Sequence, residues 1–357
     1  MKTLRIITAS TRSKKIPSSL SSSPRSPASF PPGRRRSTRF FSLYTAAATS
    51  LLLFPSLSGV TSALANSNSN QQQRAMSCRK THVTDRDGSG TITVSPRNEA
   101  EQSGLLVISH GLGDTAEGFA DVAEQFASEM PWLKIVLPTA PTQKVTMNMG
   151  MAMPSWYDIV GLDERSNENC HGIDESRARI AGILQKEHDA TGLPYSRMVL
   201  AGFSQGGALS LFTGLQLESS LAGILVMSGY LPAASKLKLS QTDTPVWHGH
   251  GSADPLVQYQ MAEKTKSILT ERGVKNYSLN SYPIPHTVSP SELGDALAFL
   301  KTVLPFDESI KVTLKDPKDM SVKELKAAIR KAGLSAVGLM EKSEFIKMVQ
   351  DHRDGKL

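Results

Sequence analysis

Cysteine is nearly absent. Two residues in 357, Cys78 and Cys170, exclude a disulfide framework and a cysteine-built metal site. One bridge is possible, and two unpaired thiols are the simpler expectation. Acidic residues are missing from the first 84 positions, which carry 13 Lys and Arg. The formal charge of +7 therefore belongs to the leader. The remaining 27 basic and 33 acidic residues sum to −6, so the body carries no charge argument for binding nucleic acid. An unbroken membrane-length run is also lacking. The apolar stretch Phe40 to Val60 contains Pro55 and several Ser and Thr, which weakens it as an anchor.

What the leader does contain has an order. Ser, Arg and Pro dominate residues 1–39, the apolar run follows, and Ala63-Leu64-Ala65 precedes a polar Asn/Ser/Gln tract. Basic, apolar and small-residue regions in that sequence read as a targeting peptide, for secretion or for an organelle. Residues 1–79 are accordingly set apart from the fold. An internal start at Met76 is the alternative and would leave the protein cytoplasmic.

From residue 80 onward, apolar runs alternate with helical patterns. Lys80 to Pro96 reads as a β-hairpin. Its Asp85-x-Asp87-x-Ser89-Gly90 resembles half a calcium loop, but Pro96 stands where a bidentate Glu is needed. Leu105 to Ser109, Leu133 to Leu137, Met198 to Ala201, Leu221 to Ser228, Thr244 to His248 and Tyr277 to Tyr282 read as buried strands. Helices are expected from Thr115 past Phe126, over Asp174–Ala190, after Ser204, over Ala262–Arg272 and over Glu292–Leu304. This alternation predicts an α/β fold with a mostly parallel sheet covered on both faces.

The chemistry centres on Gly202-Phe203-Ser204-Gln205-Gly206. A strand precedes this G-x-S-x-G and a helix follows it, the setting of a nucleophile elbow. Serine needs a base, and the base needs a carboxylate. On this fold the chain order is Ser, Asp or Glu, then His. Of eight histidines only His286 and His352 follow Asp254, and His352 lies in a charged tail. The expected triad is Ser204, Asp254 and His286. The expected oxyanion donors are the amides of Gln205 and of Leu112, in the His110-Gly111-Leu112-Gly113 loop after the first central strand. His248 and His250 share a strand face, but no third ligand accompanies them, so a metal site is not expected and structural roles are.

Four of 13 methionines, Met147, Met149, Met151 and Met153, fall within seven residues just before Trp156. Such flexible side chains suit a deformable apolar surface, although composition alone favours ordinary core packing.

Residues from about 104 to 305 resemble the acyl-protein thioesterases, within the lysophospholipase/carboxylesterase group of α/β-hydrolases. The likeness rests on His110 to Asp114, on Asn148 to Asp158 with Ala152-Met153-Pro154-Ser155-Trp156, on Gly202 to Ser210, and on Asp254-Pro255-Leu256-Val257. It implies an α/β-hydrolase fold and cleavage of palmitoyl thioesters from protein cysteines, with lysophospholipids and simple esters as further substrates. No cofactor is implied, and contact with membrane surfaces would be transient. It implies the same triad and oxyanion amides, and it makes Met147, Met149, Met151, Met153 and Trp156 candidates for an acyl channel. A short-chain carboxylesterase is the alternative within the class. A scaffold whose tail is the functional part is the alternative outside it. Pro285, where the family usually has Gly before the histidine, is one departure. The other is the continuation past residue 305: a linker from about 310, a capping box at Ser321–Glu324 and two short helices, resembling a SAP-type module. For that tail, docking and nucleic-acid contact both stay open; for the catalytic body nucleic acid is not expected.

Overall fold

The computed structural model describes residues 81–162 and 168–357. The leader, Cys78 and the proposed cleavage site lie outside the described residues. Ten strands are ordered along the chain: β1 (His82–Arg86), β2 (Ile92–Pro96), β3 (Gly104–Ser109), β4 (Leu133–Leu137), β5 (Thr142–Val145), β6 (Met151–Pro154), β7 (Met198–Phe203), β8 (Gly223–Met227), β9 (Val246–Gly251) and β10 (Tyr277–Tyr282). The helices are α1 (Ala120–Glu129), α2 (Ile173–Thr191), α3 (Gln205–Gly214), α4 (Tyr259–Glu271), α5 (Pro290–Val303), α6 (Val322–Lys331) and α7 (Lys342–Arg353).

Eight strands form one sheet in the order β1-β2-β4-β3-β7-β8-β9-β10. From β4 to β10 every pairing is parallel, while the β1–β2 hairpin adds an antiparallel edge. In the hairpin turn, one Asp87 carboxylate oxygen accepts from the Ser89 and Thr91 amides and the Ser89 hydroxyl. The half-motif for calcium is thus a turn that satisfies itself.

Strand alternation divides the core in two. Leu105, Val107, Met198, Leu200, Ile224 and Val226 face one side, where α2, α3 and α4 cover them through Ile180, Leu184, Phe212 and Leu269. Leu106, Ile108, Val199, Ala201, Leu225 and Met227 face the other, against Phe126 of α1 and Leu300 of α5. Both faces are buried, which is why these strands read as continuous apolar runs. The strand order reverses around β3, and in open sheets ligands bind beyond the carboxyl ends of the strands at such a point.

Two regions differ from the sequence reading. Residues 142–154, which lack a clear period, form a separate two-stranded hairpin, β5 with β6. Residues 310–313 are no free linker: Ile310 and Val312 pack against the core, and the Thr313 amide donates to the Thr191 carbonyl. All described residues belong to one compact unit. Helices α6 and α7 have their own small core of Leu325, Ile329, Phe345 and Val349. They dock through Lys331 on Glu99 at 2.6 Å and His352 on the Arg97 carbonyl at 3.1 Å. Burial pushes the Glu99 carboxyl up, but Lys331 and Arg353 more than offset this and hold it below its ordinary range.

Candidate active site

Strand β7 ends in a turn so tight that only glycine fits on either side of Ser204. A Cβ on Gly202 would sit 2.3 Å from the Gly206 backbone, and one on Gly206 would sit 2.1 Å from the Ser109 carbonyl oxygen. Ser204 itself takes φ 53°, ψ −119°, a conformation L-residues avoid. The turn is held by the Ser204 amide donating to the Met227 carbonyl at 2.8 Å and by the Ala208 amide donating to the Ser204 carbonyl at 2.9 Å. The strain points the side chain away from the sheet.

Three strand ends then converge. Asp254 follows β9, and one of its carboxylate oxygens accepts from the Leu256 and Val257 amides, each at 2.9 Å. His286 follows β10. Its Nδ1 lies 2.6 Å from the other Asp254 oxygen, and its Nε2 lies 2.9 Å from Ser204 Oγ. A carboxylate only accepts, so Nδ1 carries the hydrogen and Nε2 presents a lone pair to the serine. Phe203 packs on the imidazole with ring centroids 4.9 Å apart. Pro285 does not displace the histidine: its carbonyl accepts from the Thr287 amide at 2.8 Å and closes the loop. Asp254 is buried, whereas His286 retains some access to solvent.

The two expected oxyanion donors lie at the start of α3 and in the loop after β3. Gln205 is the first residue of α3, so its N–H has no intrahelical partner and lies at the positive end of the helix. Leu112 lies in the loop after β3, and among the described residues its amide makes no backbone hydrogen bond. The next amide, Gly113, donates to the Pro154 carbonyl at 2.9 Å and ties that loop to β6.

The five acyl-channel candidates differ in burial, and Met147 packs against the same core cluster as Trp156. Met149 and Met151 are 86% and 50% exposed at the tip of the β5–β6 hairpin. Met153 lies beside Gly113, and its sulfur accepts from the Asn148 side chain. Trp156 is wholly buried, its indole N–H donating to the His110 carbonyl at 2.8 Å. It holds the His110 loop from behind.

Sequence reasoning missed the side-chain roles of two residues in this framework. The Gln205 side chain accepts from the Trp156 amide at 2.9 Å and donates to the Tyr157 carbonyl at 2.8 Å, joining the elbow to residues 155–157. His110 donates through Nδ1 to the Gly111 carbonyl and accepts the Ala140 amide at Nε2; burial pushes it below the usual histidine range. Burial pushes the Cys170 thiol up to about 11, which leaves it inert as a nucleophile. Among the described residues no cluster of His, Cys, Asp and Glu has the arrangement of a metal site, and no helix is long and apolar enough to cross a membrane.

The sequence model of the phospholipase/carboxylesterase family matches residues 90–304. The chain belongs to this family. It is 39% identical over 234 residues to acyl-protein thioesterase 1 of Mycosarcoma maydis, an alignment covering 60% of this chain and 97% of that protein. Its structure is similar to that of Zea mays acyl-protein thioesterase 2, with a TM-score of 0.53 and 26% identity over 60% of this chain and 98% of that one. It is likewise similar to Arabidopsis thaliana SOBER1, with a TM-score of 0.51 and 28% identity over 56% and 99% of the two chains. The family member is thus a hydrolase with the α/β-hydrolase fold, and its matched region ends at the close of α5, before the C-terminal helices.

Proposed function

We propose that this protein is a serine thioesterase that removes palmitoyl groups from protein cysteines and also accepts lipid and simple esters. The observation that carries the reading is the continuous chain from Ser204 Oγ through His286 to Asp254. Ser204 attacks the carbonyl carbon while His286 Nε2 takes its proton. Asp254 holds the imidazole in the required tautomer and stabilises its charged form. The Leu112 and Gln205 amides meet the developing oxyanion; one such donor is worth on the order of 100- to 1000-fold in turnover. The tetrahedral adduct collapses, the thiol or alcohol leaves with the proton from His286, and an acyl-serine remains. Water, deprotonated by His286, then releases the fatty acid and restores Ser204. The acyl-protein thioesterase relatives support the thioester substrate, and the half-exposed methionine hairpin beside the oxyanion loop supports an apolar acyl group.

The test is hydrolysis of a palmitoyl thioester and a short-chain ester by the full chain and by Ser204→Ala, with fluorophosphonate labelling of both. Wild type cleaving the long thioester, with no cleavage and no labelling in the variant, is the expected result. Cleavage of the short ester alone would favour a short-chain carboxylesterase. We read residues 1–79 as a targeting leader, supported by their acid-free composition and the Ala63-Leu64-Ala65 site. We read α6 and α7 as a docking appendage, supported by their contacts with Arg97 and Glu99.

A further inference from the structure

Behind the triad runs a second chain of hydrogen bonds that hydrolysis, as described, does not use. His248 and His250 point to one side of β9, and both are fully buried. His250 Nε2 lies 2.7 Å from the Val257 carbonyl oxygen, His250 Nδ1 lies 3.2 Å from His248 Nε2, and His248 Nδ1 lies 2.7 Å from the Tyr277 hydroxyl. A carbonyl only accepts, so His250 carries its hydrogen on Nε2. Its Nδ1 then accepts from His248 Nε2–H, and His248 Nδ1 accepts from the Tyr277 hydroxyl. Every ring nitrogen is paired in one arrangement. Burial pushes both imidazoles below the usual histidine range, the direction that favours the neutral form.

The endpoint gives the chain its purpose. Val257 is the residue whose amide, with that of Leu256, holds Asp254. His250 therefore ties the carbonyl side of the turn whose amides grip the triad acid. Its Nε2 also lies 3.7 Å from the Asp254 oxygen that receives His286. A donor committed to Val257 leaves that oxygen to the catalytic histidine. We propose that Tyr277, His248 and His250 are positioning residues for Asp254, fixing the 254–257 turn and keeping an imidazole already committed to Val257 beside the carboxylate. The proposal rests on the triad reading above. The titratable groups facing His250 are His248 on its own strand, Asp254 on the following turn, His286 from the loop after β10 and Tyr259 from α4, whose ring centroid is 5.9 Å away.

The experiment compares His248→Leu and His248→Gln in the full chain. Leucine removes the donor to His250, which can then change tautomer or take a proton beside Asp254. Glutamine supplies an NH2 donor and a C=O acceptor and can replace both bonds. For leucine, kcat falls about fivefold to tenfold with KM unchanged, the scale of one buried hydrogen bond. The acid limb of its kcat/KM profile steepens from one proton to two. Glutamine restores kcat to within about threefold of wild type, with a one-proton limb. If the leucine variant does not fold, Tyr277→Phe, which deletes one oxygen, takes its place with a smaller loss in the same direction. Histidine 15N spectra of wild type should show both imidazoles neutral with hydrogen on Nε2. That readout needs no turnover, so a chain without esterase activity overturns the triad reading and is told apart from a failed relay. A hydrogen on His250 Nδ1, equal losses in the leucine and glutamine variants, or an unchanged pH profile in the leucine variant would overturn the proposal.

Discussion

Glu292 should make this protein less stable as pH rises, in contrast with ordinary carboxylates. It occupies the third position of α5, where a glutamate usually reaches back to cap the helix. Here its amide is capped by Ser289 Oγ at 3.2 Å, and its side chain turns inward, 0% exposed, with both oxygens lacking a hydrogen-bond partner among the described residues. One oxygen lies so close to β9 that a Cβ on Gly249 would approach it to 2.6 Å. Burial raises the carboxyl from 4.5 to about 7, outweighing the nearby Ser289 backbone amide, which favours the ionised form. Between those values the folded state holds a proton that the unfolded chain has lost. Stability therefore falls as pH rises through that window and levels off above it. At 1.36 kcal/mol per pH unit the full effect is about 3 kcal/mol, of which about 2 to 3 kcal/mol develops between pH 5 and 8. Glu292→Gln removes the titration while keeping the shape. Denaturant unfolding of both proteins at pH 5, 6, 7 and 8 should show the variant gaining on wild type by that amount. The difference between the two cancels other groups, including His82, which burial lowers to about 4. Parallel stability curves across this range would refute the reasoning.

Asp254→Asn keeps one oxygen for the Leu256 and Val257 amides, so its NH2 faces His286 and forces the wrong tautomer; kcat should fall on the order of 10,000-fold with little change in melting temperature. Gln205→Ala retains the oxyanion amide but strands the Trp156 amide and Tyr157 carbonyl. Unfolding should become easier by about 2 to 4 kcal/mol, while fluorophosphonate still labels Ser204. Glu99→Gln removes the carboxylate shared by Lys331 and Arg353. Hydrogen exchange in α6 and α7 should rise by about 1 kcal/mol of lost docking, and the salt dependence of that docking should disappear.

The triad was legible because the fold fixes the order of its members, and because glycine on both sides of Ser204 is a steric requirement that leaves a local pattern. The strands were legible because a sheet buried on both faces leaves continuous apolar runs. What was hidden depends on partners far along the chain. Gln205 meets Trp156 across 49 residues, and Lys331 meets Glu99 across 232. No periodicity records such a pairing. The alternation of His248 and His250 was visible, but Tyr277 and Val257, which give the pair its direction, were not. The β5–β6 hairpin escaped because its strands are four residues each and largely exposed, so no apolar alternation marks them. The inward orientation of Trp156 was hidden for the same reason as Gln205: its partner, the His110 carbonyl, lies 46 residues away.

The order of the three strand ends also sets a timetable for synthesis. A ribosome releases Ser204 first, Asp254 fifty residues later and His286 after a further 32, and the imidazole stays in place only once β10 has paired with β9. The strained serine can thus emerge, and the elbow can close, in a nascent chain that still has no base. Any product truncated before His286 is catalytically silent however well its strands fold, so the hydrolase cannot act on its surroundings until its own body is nearly complete.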